Sequence, residues 1–493
     1  MNKLKIGLLC FTIGFSFNGF SQLSNFDLSK YKLPDLERRS LETNFNISGN
    51  NNYRKPSNPT IYEKMGYNQY NSDIYLNYKH YLNSSEYQRE SNFGIYFSSG
   101  FYNRVEDKEL LYKNSNISPL LIFQRDFRKY YNGLSFFETD LVLNYQYGFN
   151  KSFSRNRSND SESKDNSQTH DVIAYVPLKL GIGRIEPVQD ARHAVYLFDE
   201  LSKIGRMQSD KSDEQIIEFA QLISQLKNKR FFDSRLRRMA ELESIDSFLM
   251  SKKYVSEQDA KYFTTLSDFW DYGNRPYRNS GTRYSVALLP GYYYYDYNYV
   301  GEGPYSDTSK YNRGALLLNG GIELKHEKPI NLFWQNSIEL NCYAGIIEGK
   351  INDKTDSIEN KIRIPNIQLG FYQTIGFYPN TRTEMSFGYS FQYIQLFDKT
   401  DLQKEILGAE GKGLKAAADL SINYYVSPKL RLNVTSSFYY IWQDSKNDVI
   451  INFDNVAGSL LGHSASNTIV FNNNLMLTDI TNSFRISLIY SIF

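Results

Sequence analysis

The chain has 493 residues, 41% hydrophobic, 22% charged and 16% aromatic, with 41 Tyr, 33 Phe and 3 Trp and a formal charge of +2. That aromatic load excludes intrinsic disorder, which needs few aromatics and a large net charge. A mean hydropathy of −0.52 excludes a bundle of membrane-spanning helices.

At the start of the chain Lys3 and Lys5 precede an apolar stretch from Ile6 to Phe17, and Gly19 and Ser21 lie three and one positions before Gln22. This is the order of a secretory signal peptide over residues 1–21, cut before Gln22. The alternative, an uncleaved anchor, is too short to span a bilayer. Removing Lys3 and Lys5 from 56 basic residues leaves as many as the 54 acidic ones, so the mature chain is neutral and has no electrostatic motive to bind nucleic acid. Cys10 leaves with the signal. Cys342 then stands alone, and no internal disulfide forms. Residues 22–39 form a periplasmic N-terminal segment, in which Phe26, Tyr31, Leu33, Pro34 and Leu36 suit either insertion into a barrel lumen or an ordinary lead-in.

Beyond it, period-two alternation recurs over long segments, which predicts an all-β chain folded as a transmembrane antiparallel β-barrel. Met385, Phe387, Tyr389, Phe391, Tyr393 and Phe397 make one greasy face against Glu384, Ser386, Gly388, Ser390 and Gln392. Leu414 to Val426 and Phe484 to Ile492 repeat the pattern. Six such segments fall in a first barrel half, residues 40–186, the one near 118–127 being the weakest. Eight fall in a second half, residues 276–493, for about 14 strands, with 12 or 16 as the bounds. A soluble β-sandwich alternates in the same way, but its strands are usually about 5 or 6 residues long. Connections also differ in length. Short turns at Lys328-Pro329, Tyr378-Pro379-Asn380 and Val426 to Lys429 alternate with polar loops near 150–169, 300–312, 349–361, 398–411 and 445–465. Short periplasmic turns and long extracellular loops are what a bacterial barrel shows.

Residues 187–275 switch to helical spacing, with Ala194, Leu197, Phe198 and Leu201 on one face and Ile216, Phe219, Ala220 and Ile223 on another. Ser212 with Gln215, and Ser256 ahead of Glu257 and Asp259, supply N-terminal caps for three or four short helices. Eight strands follow this insert, an even number, which predicts a periplasmic α-helical insert.

The export signal and the terminal Phe493 after an alternating strand resemble outer-membrane barrel proteins. That resemblance implies recognition of Phe493 by the barrel assembly machinery. The match departs in phase, because Phe484, Ile486, Leu488, Tyr490 and Ile492 lie one position off the terminal aromatic. The cut before Gln22 and the richness in Tyr, Phe and Asn look like Bacteroidota-type members of that class.

A barrel of about 14 strands is too wide for side chains alone to fill. Alternation assigns Asp73, Glu138, Asp140, Glu323, Glu339, Glu384 and Asp419, with Lys79, Lys179, Arg283, Lys325, Lys415, Arg431 and Arg485, to the lumen. The signs balance, so pairing across the wall is expected rather than a strong ion filter. Catalysis would need a histidine beside a nucleophile. His80, His170, His193, His326 and His463 are the candidates; His463 resembles the histidine of outer-membrane phospholipases, but Ala465 occupies the position of the serine, so no enzyme is expected. Gly408 to Gly413 lacks phosphate-loop spacing, and Asp353, Asp356 and Glu359 do not fit a calcium loop, so no cofactor or metal is expected. The expected function is a passive outer-membrane channel for small solutes, capped by the insert and surrounded by outer-membrane lipid. The alternatives are a structural subunit whose insert binds a periplasmic protein partner, and an apolar-ligand (lipid) transporter.

Overall fold

The computed structural model describes residues 26–54, 65–106, 109–156, 160–207, 211–228, 234–272, 278–304, 306–353, 358–397, 410–427, 430–446 and 476–490. Seven strands come first: β1 (Leu36–Arg54), β2 (Met65–Asn83), β3 (Tyr87–Glu106), β4 (Glu109–Tyr131), β5 (Ser135–Asn156), β6 (Ser161–Tyr175) and β7 (Leu178–Pro187). Four helices follow, α1 (Gln189–Lys203), α2 (Asp213–Asn228), α3 (Ser234–Ser251) and α4 (Ala260–Tyr272). The chain then resumes with β8 (Asn279–Glu302), β9 (Asp307–Pro329), β10 (Trp334–Asp353), β11 (Ile358–Phe377), β12 (Thr383–Leu396), β13 (Glu410–Tyr425), β14 (Leu430–Lys446) and β15 (Met476–Tyr490).

Every pairing is antiparallel, and each strand pairs with its neighbours in sequence from β1 to β15, with one exception. β6 and β7 are two halves of a single span, since β8 pairs with β6 through Gly291–Glu302 and with β7 through Asn279–Leu288. Pro177 makes the break because it has no N–H to give to the ladder. Its carbonyl accepts from the Asp140 amide at 3.0 Å, and the Val176 amide donates to Pro290 at 3.1 Å. Among the described residues fifteen strands therefore make fourteen spans. Among the described residues no pairing joins β1 to β15.

Burial runs opposite to that of a soluble protein. Phe45, Ile74, Leu143, Val286, Ile322, Leu420, Phe484 and Leu488 point outward and are exposed, whereas Asn77, Glu138, Lys179, Asn319, Asn341 and Asn366 point inward and are buried. Only a hydrocarbon surround makes that arrangement favourable, since each large apolar side chain left in water forgoes about 1.5–3 kcal/mol.

The connections at one end are tight. Asn132 and Gly133 take φ of 49° and 78°, the left-handed pair of a type I′ hairpin turn. Ser84–Glu86 and 330–333 are comparably short, and the four helices leave from this same end. At the other end the predicted loops are shorter than composition implied. Residues 150–169 are mostly strand, with β5 running to Asn156 and β6 starting at Ser161, stitched by Ser152 to Asp165 at 3.1 Å. The hairpins near 300–312 and 349–361 likewise stay paired to Glu302, Asp307, Asp353 and Ile358. Polar composition reports solvation there, and a strand pair extending past the hydrocarbon is solvated too. The expected loop at 398–411 lies outside the described residues up to 409, and that at 445–465 from 447 onward. β4 is weak in the sequence because Pro119 interrupts it, and its β5 register skips Ser118 and Pro119.

The helices share one apolar core with the N-terminal segment, in which Leu28, Tyr31 and Leu33 pack with Leu197, Phe219, Ile223, Tyr262 and Leu266. Residues 26–35 thus lie against the helices at the tight-turn end. Ser212 and Gln215 form a reciprocal capping box at 3.0 and 3.4 Å. α4 is capped by Asp259, whose carboxylate accepts the Tyr262 amide at 2.8 Å. The expected cap Ser256 instead gives its hydroxyl to the Arg206 carbonyl at 3.2 Å.

Candidate functional site in the barrel lumen

Inward positions of six strands converge a few residues above the tight-turn end. The register aligns Glu138 with Lys179, Arg283 with Lys325, Ser285 with Glu323, and Glu339 with Lys325. The Lys179 ammonium stands among three carboxylates, 3.1 Å from Glu323, 3.3 Å from Glu138 and 3.5 Å from Asp140. Arg128 bonds Glu138 directly and Arg283 lies 3.8 Å from it. Lys325 is 3.5 Å from Glu339. Tyr343 donates to Glu323 at 2.6 Å, and Ser285 adds a bond at 3.3 Å. Apart from Tyr343, these groups line, with Asp126 and Gln124, a polar cavity of about 150 Å³. Five acids face four bases, so the lining is nearly balanced.

Next along the lumen, away from the helices, the inward side chains turn apolar. Val142, Ile173, Tyr175, Leu289, Leu317, Ile347, Ile364 and Leu396 pack into a dry cluster, with Leu289 wholly buried. Glycine makes this approach feasible. A Cβ on Gly321 would lie 2.0 Å from the Cys342 carbonyl oxygen. Charge cluster and apolar belt together narrow one side of the lumen.

The helical cap is bolted to this end through backbone carbonyls. Arg192, at the start of α1, donates to the carbonyls of Leu332, Tyr378 and Asn380 at 3.3, 3.2 and 3.1 Å. Arg278, just before β8, spans Asn331, Leu332 and Trp334 at 2.6–2.7 Å. Burial, and then the nearby Arg192 charge, push the Arg278 guanidinium down to about 9. Inside the cap Asp190 accepts Lys227 at 2.6 Å and also bonds Ser224, which holds the Tyr31 hydroxyl at 2.7 Å. Burial opposes the Asp190 charge, but the Lys227 ammonium and these bonds hold its carboxyl below the usual range. Burial alone dominates for His193, which sits well below its ordinary value, stacked on Trp270 with Nε2 donating to the Phe269 carbonyl at 3.1 Å.

Of the fourteen residues assigned to the lumen by alternation, Glu138, Asp140, Lys179, Arg283, Glu323, Lys325 and Glu339 meet in the charge cluster. The other seven lie on inward positions elsewhere. Asp73 and Lys79 are on β2, Glu384 on β12, Lys415 and Asp419 on β13, Arg431 on β14 and Arg485 on β15. Lys415 is buried, 5.6 Å from the Tyr439 ring, and Arg431 reaches the Tyr425 hydroxyl at 3.3 Å. Alternation also marks Gln124, Asp126 and Arg128, on the strand that Pro119 interrupts. His80 bonds Glu37 at 2.7 Å, His326 bonds Thr282 at 2.7 Å and His170 bonds Tyr145 at 3.0 Å. Phe493, His463 and Asp356 lie outside the described residues.

Fourteen antiparallel spans among the described residues, an apolar exterior and a helical insert at the tight-turn end define a transmembrane β-barrel with a helical domain at one end. No protein-family model matches the chain, and no curated protein matches its sequence. Among solved structures, the translocator domain of the autotransporter NalP from Neisseria meningitidis overlaps 80% of this chain and 90% of its own, at 7% identity and a TM-score of 0.29. The Pseudomonas putida toluene transporter TodX overlaps 86% of this chain and 96% of its own, at 9% identity and a TM-score of 0.29. The transport unit of the autotransporter AIDA-I from Escherichia coli overlaps 81% and 92%, at 10% identity and a TM-score of 0.26. Scores this low carry no argument, and the class rests on strand order, register and alternation in this chain.

Proposed function

We propose that the chain is a passive outer-membrane channel for small solutes, exported by a signal peptide cut before Gln22 and capped at its periplasmic mouth by α1–α4. It carries out no chemistry of its own. The observation behind this reading is the inward turn of polar side chains along fourteen spans, which end in a charge-lined constriction beside a cap fastened by Arg192 and Arg278. Its Bacteroidota-like composition, its insertion by the barrel assembly machinery and its bath of outer-membrane lipid belong to the same reading. Exposed Met239, Met250 and Phe263 on α3 and α4 favour a periplasmic protein partner for the cap.

Purified protein in planar bilayers should give discrete conductance steps, and deleting residues 190–272 should enlarge them. Silence from both forms, with the barrel correctly folded, overturns the channel. One observation favours a second reading, carriage of an apolar ligand. A recess of about 860 Å³ on the outer wall is lined by Val286, Ile322, Leu340, Leu369, Phe391 and their neighbours. Saturable uptake of a fatty acid by proteoliposomes that show no ion conductance would select it.

A further inference from the structure

On the far side of the apolar belt, away from the cap, the lumen changes character again. β8 places Tyr293, Tyr295 and Tyr297 on inward positions, in phase with buried Ala287 and Leu289 and out of phase with exposed Val286, Leu288 and Tyr292. Tyr311 of β9 stands opposite Tyr297, with ring centroids 5.0 Å apart. Tyr295 is flanked in register by two ionisable side chains that share its face, Asp171 on β6 and Arg313 on β9. The Tyr293 phenol lies within electrostatic reach of both.

Asp171 and Arg313 do not pair with each other. Two interstrand spacings separate them, about 10 Å, with the tyrosine strand between. Among the described residues, Asp171 Oδ1 and Arg313 Nε are shut off from solvent with no hydrogen-bond partner. So is the Tyr175 hydroxyl below them, whose ring lies where a Cβ on Gly291 would be, 2.6 Å away. Buried polar atoms without partners cost about 1–3 kcal/mol each, so the arrangement calls for something to satisfy them.

Resting on the channel reading, we propose that this row is a binding site for a neutral sugar. The charges indicate a neutral ligand, because one carboxylate and one guanidinium cancel and repel neither sign. The ligand must also offer a flat apolar surface to the phenol rings, together with both donors and acceptors at its edges. A pyranose has all three properties. Its axial C–H bonds pack on Tyr295, one hydroxyl donates to the open oxygen of the half-buried Asp171 carboxylate, and another accepts from the terminal N–H groups of the half-buried Arg313 guanidinium across the gap. A purely aromatic solute would stack but leave both edge groups unsatisfied, and an ion would meet the opposing charge.

The test uses the full mature chain with maltotriose as the probe. In planar bilayers, maltotriose should interrupt the ionic current, and Tyr295→Ala and Asp171→Asn should each raise the half-blocking concentration about tenfold. Asn keeps the shape of the carboxylate, so Asp171→Asn guards against a folding defect, and gel mobility of unheated samples checks assembly of both variants. A channel that conducts but ignores maltotriose overturns the sugar site and leaves the channel standing. If the bilayer is silent, calorimetric titration of maltotriose in detergent decides. Binding lost in Asp171→Asn keeps the site while the channel falls, and absence of binding overturns both.

Discussion

Arg278 donates to the carbonyl of Leu332 at 2.6 Å, and this contact ties the end of the helical insert to the turn between β9 and β10. The same guanidinium holds Asn331 and Trp334, three carbonyls in one fork that a lysine ammonium cannot span. Arg278→Lys should therefore lower the free energy of opening the cap by about 2–3 kcal/mol. Amide exchange in α1 should rise correspondingly, while exchange in β9 away from the turn stays unchanged.

The Lys179 ammonium stands among three carboxylates, of which Glu138 and Asp140 are buried and Glu323 is half-buried. Lys179→Met should cost about 3–5 kcal/mol, because Asp140 and Glu323 then lose their ion pair while only Glu138 keeps Arg128 and Arg283. Lys179→Arg should retain most of the stability. Urea titration of the folded gel band measures the first effect. In bilayers the Lys179→Met channel should shift its reversal potential toward cation selectivity, and no shift would show that this cluster does not face the permeation path.

His193 gives the cap a pH dependence of known sign. Its folded pKa lies well below the ordinary value of 6.5, chiefly because of burial, with Lys227 adding to the shift. A buried neutral base contributes full stability above the unfolded pKa and loses it as pH falls toward the folded one. Cap stability should accordingly drop below about pH 6.5 by up to ~1.4 kcal/mol per unit. Asp190 does not titrate in that window, since its carboxyl is held below 3.8. His193→Phe keeps the stack on Trp270 and should flatten the slope between pH 7.5 and 5.5; an unchanged slope assigns it to another group.

Gly183 and Gly281 take φ of 101° and 130°, and a Cβ on either would lie 1.9 Å from a carbonyl oxygen of the facing strand. Gly183→Ala should destabilise the barrel by about 1–3 kcal/mol. Gly314→Ala, where the nearest atom is 3.8 Å away, is the control and should change stability by less than about 0.5 kcal/mol. Refolding yield in detergent separates them.

The spans were legible in the sequence because alternation survives in most strands; Met385–Phe397 reads correctly without knowledge of its neighbours. The charge cluster was legible only as a face. That Glu138 meets Lys179 depends on β7 replacing β6 beside β5, and this follows from the break at Pro177, which periodicity does not register. Asp126 and Arg128 carried the signal but sat in a strand weakened by Pro119. The anchors Arg192 and Arg278 left no trace, because their partners are main-chain carbonyls, and any residue at those turns would supply one.

Tyr31 reaches Ser224 across 193 positions of sequence, and the apolar core of the cap is incomplete without it. The four helices consequently cannot reach their final packing as they emerge. Their core is completed by a segment 193 positions away, a long-range closure of the kind that slows folding. The cap thus joins the two ends of the first half of the wall: the residues that enter β1 and the helices that leave β7 share one core.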